Sequence, residues 1–279
     1  MPTMNLALVS EVDKHDPSDV SRVAAALQRQ AERDFNPIWQ VSATVDAFPR
    51  LEDVPVGYWP MIVETDIDVP GAAGVHEDKD GQPFALIAMS DSWSLTASHE
   101  MLEMLADPFG KRIIPGKSPK RGQGRVEFLV EVCDPCEADE FAYTVNDILV
   151  ADFYTPRFFD PTPVDSVRYS FTGALKRPRE ILRGGYISWH EPVSDHWWQQ
   201  IWFGQRKEYR DLGVFDTAAA SLRAWVDAKT EHPGIDQGLK KSNPTLKAAV
   251  AVGEETAKSA SSKAGLWRKQ IAAIKKAKK

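Results

Sequence analysis

Two cysteines in 279 residues are too few for a disulfide scaffold. The longest apolar run, Phe84 to Met89, falls far short of the roughly 20 residues a membrane-spanning helix needs, so no span is expected. The first residues lack a basic stretch, and Glu11, Asp13 and Lys14 soon break their apolar run. No secretory leader is therefore expected, and the cytoplasm is the default location. Leaderless export or a virion would leave the same sequence. Internal repeats and specific nucleic-acid motifs are missing as well.

What is present is globular. Hydrophobic residues make up 43% and charged residues 27%, and the 9 Trp, 12 Phe and 6 Tyr need a dry interior. The net charge of −6 is unevenly spread. Gly234 to Lys279 carries 11 Lys+Arg against 3 Asp+Glu, or +8, which leaves −14 on the residues before it. An acidic body is a poor partner for phosphates, so any anionic partner belongs to the basic tail. The expected organisation is one domain over residues 1–232 and a flexible Lys/Ala-rich tail over 233–279. The end of that tail can form a basic amphipathic helix, since Trp267, Ile271 and Ile274 share a face. The alternative is that these three side chains dock on the body as a last core helix.

Hydrophobic periodicity predicts a strand over Leu6–Ser10, then a helix capped by Ser18 or Asp19 and ended by Asn36-Pro37. Strands are predicted over Trp39–Phe48, Trp59–Val69 and Phe84–Met89, the last taken as an edge strand. A helix carrying Leu95, Met101, Leu102 and Leu105 follows, stopped near Asp107 by Pro108. After a loop from Phe109 to Gly124 come a strand over Glu127–Val132 and a hairpin turning at Asn146-Asp147. An aromatic-dense stretch runs over Tyr186–Phe203, and a helix is predicted over Asp216–Ala228. The fold class this implies is α+β with a mixed sheet.

The chemistry lies in His99-Glu100-x-x-Glu103. Residues four apart share a helix face, so His99 and Glu103 can offer an imidazole nitrogen and a carboxylate oxygen to one Zn²⁺. Glu100 lies beside the open coordination position, where a carboxylate can take a proton from metal-acidified water. This is the logic of the HExxH metalloprotease helix with Glu in place of the second His.

The segment from Ser98 to Pro108, an S-H-E-x-x-E-x-x-x-D-P pattern, and the later Glu131-Val132-Cys133-Asp134-Pro135-Cys136 resemble a group of zincin-like bacterial and phage proteins. The resemblance covers roughly residues 1 to 205. It implies a zincin-like domain with a metal-site helix and a peptidase-type hydrolase acting on a peptide or protein substrate. The chain departs from better-known metallopeptidases in Glu103 and in lacking a downstream G-x-x-H or G-x-x-D in register.

Asp134 ranks first as third ligand, followed by Glu131. Asp107 sits about 12 Å of helix rise from His99, too far for the same ion, and reads as a helix-end or supporting group. His76, read in a turn before the edge strand, and Tyr154, His190 and His196 are candidates for the substrate cleft. Cys133 and Cys136 form C-x-x-C in an acidic setting that disfavours a reactive thiolate, so a structural thiol pair is expected. The main rival to the hydrolase reading is a zincin-fold binding or structural protein without catalysis.

Overall fold

The computed structural model describes residues 3–69, 71–79, 81–219 and 221–230, together with Arg268 and Ile271. Strands β1 (Met4–Ser10), β2 (Ala43–Phe48), β3 (Trp59–Glu64), β4 (Gly74–Lys79) and β5 (Gln82–Ala88) form one sheet in the order β2-β1-β3-β5-β4. All its pairings are parallel except the β4–β5 hairpin. Strands β6 (Ile113–Lys117), β7 (Arg125–Leu129), β10 (Tyr186–Glu191), β11 (His196–Ile201) and β12 (Glu208–Gly213) form a second, antiparallel sheet in the order β12-β11-β10-β7-β6. Strands β8 (Tyr143–Val145) and β9 (Ile148–Val150) make a hairpin of their own. With helices α1 (Pro17–Arg29), α2 (Asn36–Trp39), α3 (Trp93–Ala106) and α4 (Leu222–Asp227), the class is α+β. No helix among the described residues is long and apolar enough to cross a membrane.

Strand alternation sorts the first sheet into two faces. Leu6, Leu8, Met61, Val63, Ala85 and Ile87 join Val23 and Leu27 of α1 and Met101, Leu102 and Leu105 of α3 in the main core. Ala7, Val9, Ile62, Val75 and Leu86 lie in a second cluster that also holds Ile271. Helix α3 packs on β4, β5 and β9, and its Glu103 and His99 meet the segment that follows β7 at Cys133 and Asp134.

Several sequence expectations need correction. Asp16, not Ser18 or Asp19, caps α1, its carboxylate accepting from the Ser18 N–H at 2.9 Å. Asn36-Pro37 does not end the helical stretch. A π-helical turn over Gln30–Phe35 leads into α2, where Pro occupies the first turn and needs no donor, and Gln40 stops the chain at φ 57°. The strand predicted from Trp39 begins at Ala43. Phe84–Met89 is not an edge: β5 lies between β3 and β4, and β4 is the edge. His76 accordingly sits in a strand rather than a turn. The Gly-containing stretches on either side of β4 masked its short, polar alternation. Strand β6 lies in the stretch read as loop. The 141–154 hairpin has Asn146 and Asp147 at φ 51° and 62°, the twist a tight two-residue turn needs.

The expected tail over 233–279 lies outside the described residues except at two positions. Ile271 is buried against the first sheet, and the Arg268 guanidinium pairs with Glu11 and Glu52. Of the three side chains in the docked alternative, Ile271 alone is described, and Trp267 and Ile274 lie outside the described residues.

Candidate metal centre

The centre is assembled on α3. Ser98 fastens the helix: its hydroxyl donates to Gln30 Oε1 at 2.7 Å and accepts from the Ala151 N–H at 2.9 Å. One residue on, His99 keeps slight exposure, while Glu100 and Glu103 are buried. Asp134 arrives from the short 3₁₀ turn Asp134–Cys136 after β7. That turn sits on Gly185, where an added Cβ would lie 2.6 Å from both the Asp134 and the Pro135 carbonyl oxygens. Only a residue without a side chain lets the two segments approach so closely.

His99 Nε2 stands 3.3 Å from a carboxylate oxygen of Glu103 and 3.3 Å from one of Asp134. Glu103 is fixed from behind, its Oε1 accepting from the Cys133 N–H at 3.2 Å. Three clusters of ligand-type atoms, each mutually within 4.8 Å, overlap here: His76 with Glu100 and Glu103, His99 with Asp134 and Glu137, and Glu103 with Glu131 and Asp134. Several of these buried atoms lack a hydrogen-bond partner, namely His76 Nδ1, Glu100 Oε2, Glu131 Oε1, Asp134 Oδ1 and Glu137 Oε1. Buried polar atoms without partners are costly, and a shared cation satisfies several of them at once.

The electrostatics are those of crowded acids. Burial would raise the Glu103 carboxyl, but His99 and Arg223 outweigh it and hold it well below its usual range. Burial, then repulsion from Glu103, pushes Asp134 up to about 7. Glu137 is likewise raised by burial and by Asp134. Burial would lower the His99 imidazole, yet Glu103 and Asp134 hold it well above its normal value.

Of the candidates named from sequence, His99, Glu100, Glu103, Asp134, Glu131 and His76 converge. His76 is fully buried on β4, its Nδ1 3.4 Å from Glu100 and 3.8 Å from Glu103. Asp107 supports the centre from the helix end: its carboxylate accepts from the Arg112 N–H at 2.6 Å, and its carbonyl faces His76 Nε2 at 3.2 Å. Tyr154 is buried, its hydroxyl without a hydrogen-bond partner; burial, then Glu131, pushes its pKa up, which keeps it neutral. His190 and His196 do not reach the cleft. On the second sheet they are engaged by other carboxylates, His190 by Glu127 and Asp195, and His196 by Asp211. Cys133 and Cys136 are free buried thiols, raised first by burial and then by nearby acids.

Sequence reasoning missed two members, Glu137 and Arg223. Arg223 of α4 is buried, its Nη1 2.9 Å from Glu103 and paired with Glu131, its Nε 3.3 Å from Asp227. Its stem rests on Gly110, whose added Cβ would lie 2.8 Å from Arg223 Cβ. The available signal was positional: Arg223 falls four residues after Ala219 and three before Val226, inside the apolar stripe of its helix.

The fold defines an α+β protein with a buried His/carboxylate cluster. No family model, curated protein or solved structure matches the chain.

Proposed function

We propose that this protein is a zincin-like, zinc-dependent hydrolase of peptide bonds. The observation that carries the reading is the convergence of Glu103 and Asp134 on one imidazole nitrogen, His99 Nε2, each at 3.3 Å. One nitrogen and two carboxylate oxygens are an ordinary donor set for Zn²⁺, and three such ligands would leave a fourth position for water or substrate. A bound ion would polarise the scissile carbonyl and make water acidic enough to lose a proton near neutral pH.

The residues supply the rest. His99 retains slight exposure, whereas Glu103 is held from within by the Cys133 N–H and Arg223. Glu100 adjoins the ligand His99 and is the carboxylate proposed to take the proton and pass it to the leaving amine. As the edge strand of its sheet, β4 is the strand proposed to pair with an extended peptide. The basic segment near the end of the chain remains the proposed contact for an anionic partner.

The test is cleavage of a peptide library by zinc-loaded full-length protein, read by mass spectrometry. Wild type is expected to cleave. Glu100→Gln is expected to retain the ion at His99 and lose about 10²–10⁴ in rate. Zinc-loaded wild type that leaves every peptide intact contradicts the reading and favours the non-catalytic binding protein.

A further inference from the structure

A mononuclear site leaves half of this pocket unexplained. On the side of Glu103 away from His99, three buried residues converge: His76 from β4, and Glu100 and Glu103 from α3. His76 Nε2 has its nearer contact with an acceptor, the Asp107 carbonyl at 3.2 Å; the Arg223 Nη1 group is more distant at 3.4 Å. In the tautomer with its proton on Nε2, the ring donates to that carbonyl. This leaves the Nδ1 lone pair pointing at Glu100 Oε2, 3.4 Å away, and Glu103 Oε2, 3.8 Å away. Neither His76 Nδ1 nor Glu100 Oε2 has a hydrogen-bond partner. Arg223 meets part of this need, its Nη1 2.9 Å from Glu103 Oε2 and its Nη2 3.8 Å from Glu100 Oε2, but it leaves His76 Nδ1 and Glu100 Oε2 without a hydrogen bond, and a cation between the three donors would satisfy them. An imidazole whose far nitrogen is fixed by a backbone carbonyl is also how proteins hold a metal-binding histidine in the correct tautomer.

The backbone is shaped for this approach. A Cβ on Gly74 would lie 2.7 Å from Glu100 Oε1 and 2.6 Å from Thr96 Cγ2, so the strand bearing His76 can lie this close to α3 only with glycine there. Charge balance points the same way. Glu100, Glu103, Glu131, Asp134 and Glu137 make five carboxylates around one guanidinium, that of Arg223. Arg223 is also shared with Asp227, so this one guanidinium offsets only part of the acid gathered here.

We propose that the pocket holds two divalent cations that share Glu103, one with His99 and Asp134 and the other with His76 and Glu100. The first ion is that of the hydrolase reading, on which this inference rests; the second subsite is new to it. Glu100 binds the second ion through Oε2, the oxygen that faces His76 Nδ1. Arg223 Nη1 lies 2.9 Å from Glu103 Oε2, and on arrival of that ion the guanidinium would keep Glu131 through Nη1 and Asp227 through Nε.

Chelator-treated full-length protein titrated with Zn²⁺, with bound metal checked by elemental analysis, tests this. Two equivalents per chain are expected. His76→Asn should retain one equivalent and His99→Asn should also retain one, with thermal melts confirming that each variant is folded. One equivalent in the wild type overturns the second subsite and leaves the hydrolase reading standing. No bound metal overturns both. Two equivalents retained by folded His76→Asn overturn the assignment of residues. If His76→Asn does not fold, Mn²⁺-loaded wild type decides: an exchange-coupled electron paramagnetic resonance spectrum is expected from two ions bridged by Glu103, and the spectrum of isolated Mn²⁺ overturns the proposal.

Discussion

Arg223 shows how much a single side chain can decide in this interior. It brings the buried positive charge that faces Glu103 and Glu131, and its own guanidinium is held well above its usual pKa: burial would lower it, but Glu131, Asp227 and Glu103 more than compensate. Removing one partner of a buried ion pair strands the other. Arg223→Met should therefore destabilise the metal-free protein by about 3–5 kcal/mol, measured by urea unfolding. A loss below about 1 kcal/mol would mean that Glu103 and Glu131 find other partners or take up protons at no cost. At this scale the sequence was partly legible. The i, i+4 spacing of His99 and Glu103 announces a shared face. Arg223 was hidden because its acidic partners lie about 90 and 120 positions earlier in the chain, at separations of 92 and 120.

Among the elements, the packing of β4 on α3 is the most exacting contact near the centre. Gly74→Ala would drive a methyl into Thr96 and the Glu100 side chain. Either the strand or Glu100 must shift, at a cost of about 1–3 kcal/mol for an overpacked core. The expected result is a lower denaturant midpoint together with weaker zinc binding in a competition titration with a chromophoric chelator. Unchanged affinity and midpoint would show that the strand yields without disturbing the site. Elements with strong periodicity, α1 and α3, were readable from sequence, as was the hairpin at Asn146-Asp147, whose turn residues name the turn. Strand β4 was not. Val75-His76-Glu77-Asp78 looks like solvent-facing turn chemistry, yet His76 is fully buried because it faces a polar centre rather than water. Strand β12 and the true extent of α4 escaped for a related reason: they are short, and tertiary packing rather than local propensity sets their ends.

For the molecule as a whole, the acidic centre ties stability to pH. Asp134 rises from 3.8 to about 7, through burial and then Glu103. His99 stays well above 6.5 because Glu103 and Asp134 overcome the effect of burial. A folded-state pKa above the unfolded one means the native chain holds more protons, so stability falls as pH rises. For Asp134 that window runs from about pH 4 to 7, and for His99 it opens at 6.5 and continues upward. Glu103 is shifted the other way, and its contribution is lost only on acidification below about 4.5. Metal-free protein should therefore melt at a higher temperature at pH 5.5 than at pH 8. Saturating zinc should reverse that order, since ligands must shed protons to bind it. Equal midpoints for the metal-free protein at the two pH values would contradict these assignments. The α+β class was legible in the alternation of strand and helix patterns. The division of the strands between two sheets, with α3 lodged against both the first sheet and the β8–β9 hairpin, was not, because strand partners are chosen across long stretches of chain.

The central claim is that His99, Glu103 and Asp134 hold one divalent ion. Crystals of the zinc-loaded protein, with diffraction recorded on either side of the zinc absorption edge, test it most directly. The account predicts an anomalous peak within bonding distance of His99 Nε2 and of one oxygen each from Glu103 and Asp134, at about 2.0–2.2 Å. A map with zinc only on surface groups such as His190 or His196, and none at His99, would contradict it.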